Sequence, residues 1–107
     1  MADLDFDLTV KPDPQGGRRL TLRGELDLAT AGRLEAALAE AGGPVVLDLT
    51  GLTFMDSTGV RMLLEAAEGD NGELRIVPPV GGDARVTIEE TGIAALLPLG
   101  ADPEGRR

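Results

Sequence analysis

The N-terminal part of the sequence alternates between apolar and polar positions, which is the period of a half-buried β-strand. A first such segment runs from Leu4 to Val10, and a second contains Leu20 and Leu22 and is predicted to end at Gly24. Residues 11–17 (KPDPQGG) lie between them and contain two prolines and two glycines, which favour a turn. The pattern predicts an antiparallel hairpin.

Two segments further along have the 3.6-residue period of amphipathic helices. The first is predicted to begin at Asp27 or Thr30, either of which can cap it, and to run to about Ala41, before Gly42-Gly43. The second is predicted over residues 57–68, with Arg61 and Glu65 on its solvent side. The positions expected to face the core are Leu34, Leu38 and Ala41 in the first helix and Val60, Leu63, Leu64 and Ala67 in the second.

Between these helices lies a nearly continuous apolar run over residues 45–49, interrupted by Asp48. Such a run is typical of a strand covered on both faces, so we place it centrally in a parallel sheet. Residues 50–55 are expected to form a short link to the second helix. Residues 70–72 (Asp-Asn-Gly) predict a turn, and residues 74–77 predict a further strand that Pro78-Pro79 stops.

The C-terminal part predicts a third helix, capped by Asp83 and ended by Thr91-Gly92. Ile93, Leu96 and Leu97 are expected to pack back on the core. The whole order predicts an α/β fold: one domain with a mixed four- to five-stranded sheet, an antiparallel hairpin followed by parallel strands, and helices after the second strand. We assign residues 1–99 to this domain and residues 100–107 to a flexible tail.

The composition limits the chemistry that the chain can perform. It has 107 residues, 42% hydrophobic and 27% charged, as expected for one globular domain. It contains no His and no Cys. Catalysis by Ser-His-Asp or Cys-His groups, thiolate chemistry and the usual zinc sites are therefore excluded.

The charge of the chain limits its partners. The net charge is -9, and the sequence has no Trp, no Tyr and two Phe. Nucleic acids and anionic membranes should repel such a chain, which also lacks aromatic residues for base stacking. A protein partner with a basic face is one interpretation of the charge, and solubility alone is the other. No apolar run approaches the ~20 residues of a membrane span, and residues 1–7 are acidic rather than signal-like, so we expect a cytoplasmic protein.

The segment Asp56-Ser57-Thr58-Gly59 follows the central strand and opens the second helix. A helix N-terminus stabilises an anion, so a phosphate on Ser57 is favoured there, and Gly59 leaves backbone room beside it. Asp56 acts in the opposite direction, because its charge repels a phosphate and disturbs the local contacts. The alternative is that Ser57 is an ordinary N-cap of the helix.

Two motifs together resemble the signature of STAS-domain anti-sigma factor antagonists. They are Gly24-Glu25-Leu26-Asp27 and the run from Val46 to Gly59 (VLDLTGLTFMDSTG). The resemblance extends over about residues 4–99. Two positions depart from the family: Arg61 replaces a small or apolar residue, and residues 100–107 are interrupted by Gly and Pro where the family usually adds a last helix.

The resemblance implies a partner-switching mechanism. The unphosphorylated antagonist binds an anti-sigma factor that is also a serine kinase, which frees a sigma factor. Phosphorylation of the serine after the aspartate, here Ser57, dissociates the complex. A serine phosphatase then removes the phosphate and restores the binding form. Asp27 is then expected near Ser57. The candidate surroundings of the phosphoacceptor and partner-binding residues are Asp56, Thr58, Gly59, Gly24, Glu25, Asp27 and Arg61.

Two other functions stay open on the sequence. A STAS subunit that is never phosphorylated, part of a transporter or signalling scaffold, shares the same fold. A small enzyme using carboxylates for metal-assisted chemistry, for example Asp48 and Asp56, is the second. The chain has no P-loop and no Gly-x-Gly-x-x-Gly after a strand, and a third metal ligand is not evident. We therefore expect a binding protein rather than an enzyme, with no metal and no cofactor.

Overall fold

The computed structural model describes residues 6–69 and 73–100. This part of the chain forms a four-stranded sheet, three α-helices and a short 3-10 helix. The strands are β1 (Phe6–Pro12), β2 (Arg18–Leu26), β3 (Val45–Met55) and β4 (Leu74–Val77); the helices are α1 (Ala31–Ala41), α2 (Ser57–Glu68) and α3 (Gly82–Thr91), followed by the 3-10 helix Ile93–Leu96. No helix among these residues is long and apolar enough to cross a membrane.

The sheet has the predicted mixed topology. Its strand order is β1-β2-β3-β4, with β1 antiparallel to β2 and the other neighbours parallel. Leu99 forms an isolated parallel bridge with Ile76 beside β4, and the N–H of Gly100 donates to the carbonyl of Ile76 at 3.0 Å. The sequence therefore predicted the α/β fold, the hairpin and the interior position of β3.

Two strands are longer than predicted, and the ladder between them continues through a glycine in each strand. We expected β2 to end at Gly24 and residues 50–55 to be a link, but β2 continues to Leu26 and β3 to Met55. The register between these strands shifts near Gly24 and near Gly51. A glycine inside a strand can mark a bulge in a continuing ladder rather than its end. The extension carries both strands to the edge where the candidate site lies.

The core lies between the sheet and the helices and is mostly leucine. Leu34 of α1 and Leu63 of α2 are fully buried, and the other predicted core positions of these helices pack against the same cluster. Met62 is also buried, which the apolar spacing did not predict. Arg61 and Glu65 are exposed, as expected. Gly42 ends α1 with a positive φ of 65°, a conformation that favours glycine.

The charged residue inside the apolar run of β3 is buried with a partner. Asp48 is 7% exposed, and its Oδ2 accepts a hydrogen bond at 2.8 Å from Nη2 of Arg19, which is 8% exposed. The other oxygen of Asp48 accepts from the N–H and the hydroxyl of Thr50 at 2.9 and 2.7 Å. A buried carboxylate requires such partners, so Asp48 cross-links β2 to β3.

The third helix starts differently from the prediction. Its N-cap position is Gly81, no side chain caps it, and Asp83 lies in the first turn instead. The chain turns into α3 through Gly82, whose φ is 73°, so the glycine pair sets the start of the helix. Asp83 still stabilises this end, because a negative charge in the first turn is favourable. Gly92 ends α3 with a φ of 75°, as predicted.

Leu97 is 8% exposed and packs on the core, as expected. Several predictions lie outside the described residues: the start of the first strand at Leu4, the turn over residues 70–72, the side chains of Ile93 and Leu96, and most of the tail after Gly100. The division into a domain over residues 1–99 and a tail stays a prediction.

Candidate functional site

The two sequence motifs meet where β2 and β3 end side by side. Leu26, the last residue of β2, pairs with Met55, the last residue of β3. The N–H of Asp56 donates to the carbonyl of Leu26 at 3.3 Å. Because the strands are parallel, Asp27 and Asp56 follow neighbouring strand ends at one edge of the sheet. The structure thus brings the Gly-Glu-Leu-Asp and Asp-Ser-Thr-Gly motifs together.

Asp56 is the N-cap of α2. Its backbone is extended, and its Oδ1 accepts hydrogen bonds from the N–H groups of Thr58 at 2.9 Å and Gly59 at 3.1 Å. Two of the free amides at the helix start are satisfied in this way, and the carboxylate also stabilises the positive end of the helix. The alternative interpretation of Ser57 as the N-cap is therefore wrong, since the residue before it performs that role.

Ser57 is the first residue of α2, and it is exposed. Within residues 6–69 and 73–100, no side-chain hydrogen bond engages its hydroxyl. A serine in this position is accessible to a modifying enzyme without any opening of the fold. Thr58 beside it is half-buried and is held by its N–H bond to Asp56.

Gly59 is buried against the end of β2. A Cβ at this position would lie 2.6 Å from Cγ of Met55 and 2.7 Å from the carbonyl oxygen of Leu26. Such distances are too short for a carbon atom, so only glycine allows α2 to start this close to the sheet. We expected Gly59 to leave room near a phosphate; the contacts show that it lets the helix pack against the strands.

Asp27 organises the turn that leads from β2 into α1. Its Oδ1 accepts from the N–H of Ala29 at 3.1 Å, from the N–H of Thr30 at 3.2 Å and from the Thr30 hydroxyl at 3.1 Å. Thr30 occupies the N-cap position of α1 but makes no side-chain cap bond to the helix. Of the two candidate caps, Asp27 is the residue whose side chain binds the amides at this entry.

Gly24 and Glu25 line an open cavity of about 410 Å³ beside β1 and β2, and the carbonyl of Gly24 accepts from the hydroxyl of Thr53 at 3.1 Å. Arg61 is exposed on α2, four residues after Ser57. Residues four apart are neighbours on a helix surface, so Arg61 and Ser57 lie on one side of α2.

Three exposed apolar residues near this edge were missed by the sequence interpretation. Leu28 is 77% exposed, Phe54 37% and Val80 69%. Each lies at or just beyond the carboxyl end of a parallel strand, which places them around the same edge as Asp56. The sequence pattern that could have indicated them is an apolar residue at a predicted strand end or in the turn after it.

The carboxylates of the site already have partners. Asp48 is engaged by Arg19 and Thr50, and Asp56 by the amides of α2. Among the described residues, no group of three or more Asp or Glu side chains is placed to hold a metal ion. The partners of Asp48 and Asp56 do not favour metal-assisted chemistry at these two carboxylates.

Comparison with known proteins connects this geometry to a family. A family model described as "Mlab, STAS domain" matches residues 13–98. No curated protein sequence matches the chain significantly. Several solved structures share its fold over most of its length.

An anti-sigma factor antagonist from Mycobacterium paratuberculosis is 28% identical, with a TM-score of 0.76 and coverage of 92% of this chain and 88% of its own. The STAS domain of an anti-sigma factor antagonist from Rhodobacter sphaeroides is 27% identical, with a TM-score of 0.55 and coverage of 70% and 88%. The antagonist SpoIIAA in its unphosphorylated form is 21% identical, with a TM-score of 0.67 and coverage of 92% and 91%, a likeness of fold.

Proposed function

Since this chain belongs to the STAS domain family, we propose that it is an anti-sigma factor antagonist controlled by phosphorylation of Ser57. Its unphosphorylated form binds an anti-sigma factor that is a serine kinase, and this binding frees a sigma factor. The kinase phosphorylates Ser57 and the complex separates. A serine phosphatase then restores the binding form. The chain acts by binding in the cytoplasm and carries out no catalysis itself.

The observation that carries this proposal is the position of Ser57. Its hydroxyl is exposed at the first position of α2, while Asp56 already supplies the helix cap. A kinase therefore reaches the hydroxyl without breaking any bond that the fold needs. The N-terminal end of the helix also stabilises the added phosphate.

Phosphorylation changes the surface rather than the fold. A phosphate adds a charge of about -1.5 to -2 at neutral pH. That charge is placed beside Asp56 and at the edge that also holds Asp27. A partner that binds the exposed apolar residues Leu28, Phe54 and Val80 must then desolvate a phosphate next to a carboxylate. Such a penalty reaches several kcal/mol, and ~3 kcal/mol already weakens binding more than a hundredfold.

The test starts from two variants of the full chain, Ser57→Ala and Ser57→Asp. Each is used as bait in the native cell, and the bound proteins are identified by mass spectrometry. We expect Ser57→Ala to retain a kinase-type anti-sigma factor, because its surface stays neutral and it cannot be released by phosphorylation. Ser57→Asp should lose it, with at least a hundredfold weaker binding by titration calorimetry. Thr91→Ala, which removes an exposed hydroxyl at the end of α3, is the matched control and should bind like the wild type.

The site of modification is mapped with the isolated kinase and ATP. We expect phosphate on Ser57 in the wild type and in Thr58→Ala, and none in Ser57→Ala. Phosphate on Thr58 with Ser57 unmodified contradicts the assignment. If Ser57→Ala and Ser57→Asp retain the same transporter or scaffold protein equally well, the chain is instead an unphosphorylated STAS subunit, the first of the two other functions that the sequence left open.

A further inference from the structure

The outer edge of β1 has a charge pattern that is complementary to itself. In the described part of the chain, β1 pairs with β2 and is the end strand of the sheet. The strand reads Phe-Asp-Leu-Thr-Val-Lys-Pro over residues 6–12. Asp7 and Lys11 lie symmetrically about Thr9, two residues to either side.

We propose that β1 pairs with β1 of a second copy of this chain, antiparallel and centred on Thr9, so that the two sheets form one continuous sheet. In this register Asp7 of each copy lies opposite Lys11 of the other, and Leu8 lies opposite Val10. Directly opposite residues of antiparallel strands have Cβ atoms about 4.5–5.5 Å apart, within reach of charged pairs. The two-fold symmetry produces each contact twice.

The side chains along β1 suit this pairing on both faces of the sheet. Asp7 and Lys11 are exposed, and neither has an ion-pair partner among the described residues. They lie on the face opposite the core, together with Thr9. On the core face, Leu8 is half-buried, while Val10 is 47% exposed. A second copy covers Val10 with its own Leu8.

Lys11 has a second reason to need an acidic partner. Its neighbour on β2 is Arg19, a like charge whose side chain is turned to Asp48. Like charges directly opposite one another are destabilising. An aspartate from a second copy on the free side of Lys11 offsets this repulsion.

Charged residues and proline near an edge strand also serve to prevent pairing. The order of the charges in β1 favours pairing with a second copy over prevention of pairing. Residues that only prevent pairing need not have charges that match those of a second copy. In β1 they do match, because the register centred on Thr9 places Asp7 opposite Lys11 at both ends. The contact is short, below the usual area of a permanent interface, so the dimer forms reversibly at high concentration.

The experiment measures self-association of the full chain by analytical ultracentrifugation over a wide concentration range. We expect a concentration-dependent dimer for the wild type. Asp7→Lys and Lys11→Asp each oppose like charges twice, and each should weaken dimerisation at least tenfold. Their equimolar mixture should associate again, because every lysine of one variant then faces an aspartate of the other. The double variant Asp7→Lys/Lys11→Asp should also dimerise.

The control is Glu90→Lys, an exposed residue of α3, which changes the net charge by the same amount as Asp7→Lys and should leave dimerisation unchanged. Melting curves by circular dichroism verify that each variant folds. If a reversal variant fails to fold, Thr9→Lys replaces it, since this residue meets its own copy at the two-fold axis. A wild type that stays monomeric up to millimolar concentration overturns the proposal, as does a mixture that fails to associate.

Discussion

At the scale of single residues, the candidate site separates the carboxylate that caps the helix from the exposed hydroxyl that we propose as the phosphoacceptor. The carboxylate of Asp56 accepts two amide hydrogen bonds from α2, whereas the hydroxyl of Ser57 makes no hydrogen bond among the described residues. Sequence spacing alone did not distinguish these roles, because Asp and Ser are both good N-caps and stand next to each other. In the structure β3 ends at Met55 and the backbone of Asp56 is still extended, so Asp56, and not Ser57, is the N-cap of α2.

The first prediction follows from this separation. Asp56→Ala removes the cap and should lower the free energy of unfolding by about 1 kcal/mol. Ser57→Ala removes an exposed hydroxyl and should change it by less than ~0.5 kcal/mol. Urea denaturation of the two variants measures both values. Equal losses for the two variants would mean that Ser57 shares the capping role.

A second residue-scale prediction concerns the buried pair of Asp48 and Arg19. Asp48→Ala leaves the arginine charge buried without this carboxylate, which should cost about 3 kcal/mol of unfolding free energy. Glu89→Ala is the matched control, because Arg85 and Glu89 form an exposed pair four residues apart at a similar distance, 2.9 Å. Its loss should be about 0.3–0.5 kcal/mol. Similar denaturation midpoints for the two variants would contradict the structural role of Asp48.

At the scale of elements, periodicity, apolar runs and turn residues predicted the four strands and three α-helices of the described chain, but not the 3-10 helix Ile93–Leu96 or all of the element ends. The apolar faces of α1 and α2 follow from residue spacing, and burial matches them. The ends of β2 and β3 did not follow, because Gly24 resembles a break in the sequence, whereas in the sheet it pairs with Leu52 in a ladder whose register shifts on either side of Arg23 and Gly24. A bulge depends on the neighbouring strand, which local sequence does not contain.

The element-scale prediction compares two helical glycines. Gly59→Ala places a methyl group against Met55 and Leu26 and should destabilise the fold by about 1–3 kcal/mol. Gly32 in α1 has no atom within 4 Å of its Cβ position. Gly32→Ala should therefore stabilise the chain by about 0.4–1 kcal/mol. Thermal melting of both variants tests the contrast, and a neutral Gly59→Ala would show that α2 can move away from the sheet.

At the scale of the whole molecule, the sequence predicted the topology of the fold but not which apolar residues are exposed on its surface. The mixed sheet and its hairpin were predictable, since strand and helix order restricts an α/β chain to few arrangements. The exposed apolar residues around the Ser57 edge were not predicted. An exposed Leu28 and a buried Leu26 look alike in sequence, and only the end of β2 separates them.

The whole-molecule prediction concerns nucleic acid. A net charge of -9 repels a polyanion, and the chain has no Trp or Tyr to stack on bases. A gel-shift titration at low salt with DNA and with RNA should show no complex at micromolar protein. A shift that disappears with added salt would indicate a basic surface that the net charge conceals, and would contradict the prediction.

The capping of α2 by Asp56 has a consequence for how long each form of the protein lasts. The removal of a protein in the cell depends on the fraction of molecules that unfold, and differences of 1–2 kcal/mol change abundance several-fold. A phosphate on Ser57 leaves these two bonds in place, so a difference in stability between the two proposed forms comes from the phosphate charge alone, which the helix N-terminus attracts and Asp56 repels. Because the two effects oppose each other, turnover should alter the ratio of the two forms little, and that ratio should report the activities of the proposed kinase and phosphatase.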